Sequence, residues 1–167
     1  MSAPAHSNGT LGFSQHDHDH CVSAAIREAE RHCKAAGLRF TSVRRRALEI
    51  LLEQHKAMGA YEVLERLQSE GLGAQPPAAY RALDVLVANG FAHRIERLNA
   101  FVACSHPGES HVPAFLVCRV CRKVAETAAL PSAGIPEAIA HSTGFTIERM
   151  LIEAEGCCAE CREGHET

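Results

Sequence analysis

Two cysteine pairs of identical spacing constrain this chain more than any other feature. Cys118 and Cys121 form one Cys-x-x-Cys turn, and Cys158 and Cys161 form the other. Such a turn aims two sulfurs and several backbone N–H groups at one point. Two turns together place four thiolates tetrahedrally around a zinc ion. The 36 residues between the pairs exceed the usual ribbon spacing of about 15–20, so the chain must leave and come back. A helix over 135–142 and a strand over 145–153 provide that return. Four thiolates fill the coordination sphere, which predicts a structural zinc site with no open position for chemistry. A redox dithiol pair or free thiols are the alternatives. Cys157 is adjacent but has the wrong spacing.

The compartment follows from the same residues. There are 8 cysteines, and the N-terminus lacks the basic patch and apolar run of a signal peptide. A cytoplasmic protein with reduced, metal-binding thiols is expected. The apolar fraction of 46% and charged fraction of 22% are those of a soluble globular chain. Net charge is −3 but uneven: residues 38–104 hold 9 basic and 7 acidic side chains, and residues 105–167 hold 5 and 9. The basic run Arg44-Arg45-Arg46 lies in the positive segment and points to phosphate contact, with Arg44 as the candidate.

Pattern divides the chain into four parts. Residues 1–20 are polar and His/Asp-rich, without periodicity, and read as a disordered tail. His16, His18, His20 and Cys21 leave open a loose third metal site there. Residues 21–104 read as helices followed by a hairpin. Ser23 caps the first helix, Cys33 lies on its apolar face and Gly37 ends it. Thr41 caps the second. A third follows Gly59. Pro76-Pro77 open a fourth, and Asn89-Gly90 stop it. Ala78, Ala79, Tyr80 and Arg81 are expected to face outward on its opening turns. Two strands, 91–95 and 100–104, flank a turn at 96–99. This is the winged-helix plan, in which a helix enters the major groove and the hairpin lies against the DNA backbone. A loop over 105–113 reads as a hinge. Residues 114–167 form an α/β domain. The fold class is therefore α+β, a winged helix joined by a hinge to a smaller α/β unit.

A second group of ligand-type residues straddles that hinge. His93 and Cys104 belong to the hairpin, His111 to the hinge loop and Glu126 to the strand after the first cysteine pair. No regular motif joins them. If they meet, two imidazoles, a thiolate and a carboxylate suit tetrahedral Zn(II), because a thiolate selects against Mn(II) and Mg(II). His106 is the rival for His111.

Together these residues resemble the ferric uptake regulator family, and within it the zinc uptake regulators. The resemblance covers residues 26–161. It rests on Arg39-Phe40-Thr41-x-x-Arg44, Pro76-Pro77-x-x-Tyr80-Arg81-Ala82-Leu83, Gly90-Phe91-x-His93 and both cysteine pairs. It implies a dimeric repressor whose C-terminal domain dimerises. By resemblance, Cys118, Cys121, Cys158 and Cys161 are the structural zinc ligands. His93, Cys104, His111 and Glu126 are those of the sensing zinc, giving two zinc ions per chain. Tyr80, Arg81 and Tyr61 match positions that meet DNA. Two departures matter. Ala78 stands where the family usually has threonine, which removes a hydroxyl that meets phosphate or base. The stretch Cys104-Ser105-His106-Pro107-Gly108-Glu109 lacks the His-His-Asp-His run of iron-type members, which favours zinc.

The expected function is zinc-dependent repression of zinc uptake genes by a homodimer bound to operator DNA. A regulator of the same family sensing iron or nickel, and a structural zinc-ribbon interaction module, are the alternatives. An enzyme built on Cys104 and His106 finds no activating constellation and no phosphate-cradling loop, so no catalytic residue is assigned.

Overall fold

A computed structural model describes residues 18–53, 56–72, 75–108, 111–128, 134–148 and 150–163. His16 and the side chains of His18, His20 and Cys21 lie outside the described set. Helix α1 (His18–Ala35) begins five residues before the expected cap. Ser23 is therefore interior to the helix. The helix closes as expected: Gly37 has φ +67°, and the Leu38 amide donates to the Cys33 carbonyl at 2.8 Å. Those are the left-handed residue and the 6→1 bond of a glycine stop. Cys33 is buried as a small core residue.

Helix α2 (Ser42–Glu53) is capped by Thr41, whose Oγ1 accepts the Arg44 amide at 3.3 Å. Helix α3 (Ala60–Ser69) starts at Gly59, whose amide donates to the Glu62 carboxylate at 2.6 Å. Helix α4 (Pro76–Ala88) ends at Gly90, with φ +73° and the Phe91 amide on the Leu86 carbonyl. The α1–α4 stripes pack into one core around Leu48, Leu51, Leu67, Leu83 and Leu86.

The hairpin is β2 (Ala92–Ile95) and β3 (Ala100–Ala103), joined by a 3₁₀ turn at Glu96–Leu98. A two-residue strand absent from the sequence reading, β1 (Met58–Gly59), pairs with the other side of β3. Strand β3 is buried on both faces. Phe101 and Ala103 point into the helical core, while Ala100 and Val102 point into a second core. Residues i and i+2 share a face, so alternation along four residues divides them between two cores.

That second core belongs to both halves of the chain. It joins Ala57, Ile95, Ala100 and Val102 to Phe115, Val117 and Val124. The latter three come from β4 (Pro113–Cys118) and β5 (Val124–Ala128). Helix α5 (Gly134–Thr143) and strand β6 (Ile152–Gly156) follow, and β6 pairs parallel with β4 in the order β5-β4-β6. The strand expected over 145–153 therefore lies further on, because only residues level with the short β4 find ladder partners. A short helix α6 (Ala159–Glu163) carries the end of the described chain. The architecture is the expected one, a winged helix followed by an α/β domain.

Candidate metal centres and nucleic-acid face

The four paired cysteines converge. Their ligand atoms lie within 4.8 Å of one another, with Cys121 Sγ 3.8 Å from Cys158 Sγ. The first pair sits in the β4–β5 turn and the second where β6 runs into α6. The parallel pairing Cys118↔Gly156 delivers the second pair beside the first. Arg122, at φ +61°, is a non-glycine residue in the left-handed region and closes the first turn. Backbone N–H groups of Cys121 and Cys158 draw the Cys118 thiol down to about 6, against burial. Cys161 is pushed up to about 12 by the Cys158 thiol beside it and by burial. Four sulfurs crowded together suit a divalent cation that ionises them all. Cys157 is exposed and outside the cluster.

The second group also converges, again within 4.8 Å. The strand faces explain how. His93 and Ile95 alternate onto the side of β2 that meets the α/β domain, where the His93 and Phe115 rings stand 5.2 Å apart. Cys104 continues the Ala100–Val102 face of β3. Across the interface, Val124 and Glu126 share a face of β5, and Glu126 is registered opposite Phe115. Four residues with no common motif thus become one cluster once the two sheets stack.

Glu126 is its centre. One carboxylate oxygen lies 2.7 Å from His111 Nε2 and 3.2 Å from His93 Nε2. The other accepts the Ser105 amide at 2.6 Å. Cys104 Sγ is 3.8 Å from His111 Nε2 and 3.9 Å from Glu126. Burial alone would raise the Glu126 pKa, but contact with His93, the Ser105 amide and His111 outweighs it and brings it to about 2. The carboxylate is held ionised in a nearly dry place. His93 Nε2 is buried and, despite its 3.2 Å approach to Glu126, makes no aligned hydrogen bond. A buried nitrogen without a bond is costly unless something else binds it, and a metal ion at the focus of the four atoms would satisfy it. The donor set is that of zinc. His106 stays outside the cluster. Its amide points at Cys104 Sγ at 3.4 Å, and its ring faces His111 with centroids 5.7 Å apart.

The candidate DNA residues lie on α2, α3 and α4. Tyr80 and Arg81 are exposed at the start of α4, as expected, and Tyr61 on α3 is 66% exposed. The two tyrosine rings meet edge to face, 6.2 Å apart. Arg81 Nε donates to the Pro77 carbonyl at 3.1 Å, which orients the guanidinium along the first turn. Ala79 departs from expectation. It is fully buried, because position four of the helix turns into the α4 core stripe. The arginine run is also less free than its charge implies. Arg45 pairs with Glu30. Arg46 is held by Glu49, Glu53 and Glu70. Arg44 donates to the carbonyl of Arg39, a neutral partner, and keeps its charge uncompensated by that contact.

Sequence reasoning missed the Ser105 amide that anchors Glu126 and the contacts of the hairpin turn with β6. Neither leaves a motif. The alternation of Phe115-x-Val117 and Val124-x-Glu126 was the available signal that Glu126 faces an apolar interface.

The chain is similar in sequence and structure to known proteins. A profile of the Ferric uptake regulator family matches residues 35–155. The chain is 34% identical over 139 residues to the Zinc uptake regulation protein of Escherichia coli (strain K12), covering 83% of this chain and 81% of that one. It is similar to a solved zinc uptake regulator complexed with zinc and DNA, at 33% identity and TM-score 0.82, over 87% of this chain and 98% of the other. Holo XcZur matches at 38% identity and TM-score 0.75, over 84% of this chain and 98% of that one. Apo XcZur, at the same 38% identity, reaches 0.50 over 86% and 99%.

Proposed function

Because this chain belongs to the ferric uptake regulator family, we propose that it is a zinc-responsive repressor of zinc uptake genes, acting in the cytoplasm as a homodimer on operator DNA. It is a regulator and not an enzyme. The observation that carries this reading is the location of the second cluster. His93 and Cys104 come from the winged helix, and His111 and Glu126 from the hinge and the α/β domain. Zinc bound there would supply four bonds across the joint. Likeness to the holo form of XcZur over the apo form, at equal identity, supports an arrangement of the two halves that belongs to the metal-bound state.

The residues divide the work. Cys118, Cys121, Cys158 and Cys161 hold a structural zinc and build the α/β domain. His93, Cys104, His111 and Glu126 take the sensing zinc, so two ions bind per chain. Glu126 keeps its charge for the metal. Leu116, Ile139 and Phe145 of the α/β domain remain 43%, 59% and 68% exposed, apolar side chains that a second copy would cover. Holding the halves fixed sets the separation of the two α4 helices in the dimer, and operator half-sites about one helical turn apart accept only one such separation. Arg81 reads a base edge, Tyr80 and Tyr61 flank it, and Arg44 meets phosphate.

Operator binding at buffered free zinc, for the parent and for Cys104→Ser, tests the reading. Zinc should raise parent affinity by about 5–150-fold, and operator DNA should tighten zinc binding by the same factor. Cys104→Ser should abolish both effects while keeping its structural zinc. A normal response from Cys104→Ser overturns the site assignment. Activation by Fe(II) or Ni(II) at lower free concentration than Zn(II) overturns the choice of metal.

A further inference from the structure

We propose that Glu153 is a positioning residue for DNA recognition: with Glu155, it clasps the turn of the hairpin and forms a metal-independent pivot about which the sensing zinc locks the two halves. The proposal rests on the functional reading above and concerns a contact made by none of the eight metal-ligand candidates.

The geometry is a row across the C-terminal sheet. Phe115 on the central strand is registered opposite Glu126 on one side and Glu153 on the other. Directly opposed residues share a face, and neighbouring strands lie about 4.8 Å apart, so the backbone positions of the two glutamates flank Phe115 about 10 Å from each other. Glu126 serves the open end of the hairpin, where His93 and Cys104 lie. Glu153 serves the closed end. Its Oε1 accepts the Glu96 amide at 2.9 Å and its Oε2 faces the Arg97 amide at 3.4 Å. These amides begin the 3₁₀ turn, whose first N–H groups have no partner within the turn itself. Arg97 then reaches one residue pair further along β6 and grips Glu155 with two bonds, Nε to Oε2 at 2.6 Å and a terminal nitrogen to Oε1 at 3.1 Å.

The two ends of the hairpin are therefore tied to opposite edges of the sheet by different chemistry. The Glu126 end needs a metal ion to bind two imidazoles and a thiolate together. The Glu153 end needs only backbone amides and one arginine. With the sensing site empty, the clasp and the apolar contact around Phe115 hold the turn while the open end swings. Zinc then closes an end that is already near its target. This pre-organisation should appear in zinc affinity as well as in DNA affinity. It also changes the role of the wing. Its turn is occupied by the α/β domain, and the Arg97 charge is matched by Glu155, so neither is offered to the DNA backbone.

The test compares the full-length parent, Glu153→Ala, Glu153→Gln and Arg97→Ala. Amide hydrogen exchange at Glu96 and Arg97, followed in a Cys104→Ser background, should show protection that Glu153→Ala removes and Glu153→Gln partly restores. Sensing-site zinc affinity, measured by chelator competition without DNA, should fall about fivefold in Glu153→Ala. Arg97→Ala should weaken operator binding at saturating zinc with no change in salt dependence, whereas loss of a direct phosphate contact lowers the salt slope by about 1. Unchanged exchange in Glu153→Ala, or a reduced salt slope in Arg97→Ala, overturns the clasp. If parent operator affinity ignores zinc, the repressor reading fails instead, and the exchange and zinc-affinity results still decide the clasp.

Discussion

At the level of single residues, charge in the sequence proved a poor guide to available charge. Arg44, Arg45 and Arg46 read as one basic cluster, yet two of the three are matched by carboxylates of this chain. Arg81 has no such partner among the described contacts and stands on an exposed helix start beside Tyr80. Its guanidinium is the group suited to bidentate recognition of guanine. Arg81→Ala should lose about 1–3 kcal/mol of operator affinity and relax preference at one base pair, measured by titrating a panel of single-base operator variants. Zinc affinity of the free protein should not move. Ala78 and Ala79 illustrate the opposite limit. Their identity is obvious in the sequence, but that Ala78 is partly exposed and Ala79 fills the core follows from the pitch of α4 against its neighbours.

Among the elements, stop and start signals were legible because they are local. Thr41, Gly37 and Gly90 act through atoms within five residues of themselves, and each behaves as its type dictates. The start of α1 was misplaced because a serine that fits a cap also fits a helix interior. Strand β6 was misplaced because its limits are set by β4, some 35 residues away. Helix contacts of longer range carry a pH signature. Arg46 bonds draw the Glu70 carboxyl below its ordinary range, and Arg66 and Arg46 do the same for Glu53 against its burial. A carboxylate depressed in the folded state adds stability above its ordinary pKa of about 4.5, and that stability is lost as pH falls through the folded value. The α2–α3 packing should therefore weaken below about pH 4.5. Arg46→Met should flatten that acid dependence relative to the parent, read from denaturant midpoints between about pH 6 and pH 3. An equal slope in both proteins would count against the network.

On the scale of the whole molecule, the decisive object is the interface between the two sheets. One phenylalanine anchors it: Phe115 is 1% exposed, touches the His93 ring and lies between Glu126 and Glu153 in register. Phe115→Ala should destabilise the protein by about 3–5 kcal/mol in chemical denaturation. It should also weaken sensing-site zinc far more than the four-cysteine zinc, since the cavity opens beside one cluster and not the other. Loss of both metals together would mean that the α/β domain had unfolded. The four-cysteine site was readable from spacing alone, because each Cys-x-x-Cys turn is a self-contained chelating unit whose geometry comes from adjacent residues. The sequence by itself thus determined the helices (apart from the start of α1), the hairpin and the convergence of the four paired cysteines. The sensing cluster it could supply only through likeness to a family. Whether His93, Cys104, His111 and Glu126 meet depends on which faces of β2, β3 and β5 the apolar alternation turns toward each other, and on how the sheets then stack. Burial of Ile95, Val102, Phe115 and Val124 makes that choice, and the ligands, interleaved with those residues at a period of two, are carried to one point by it.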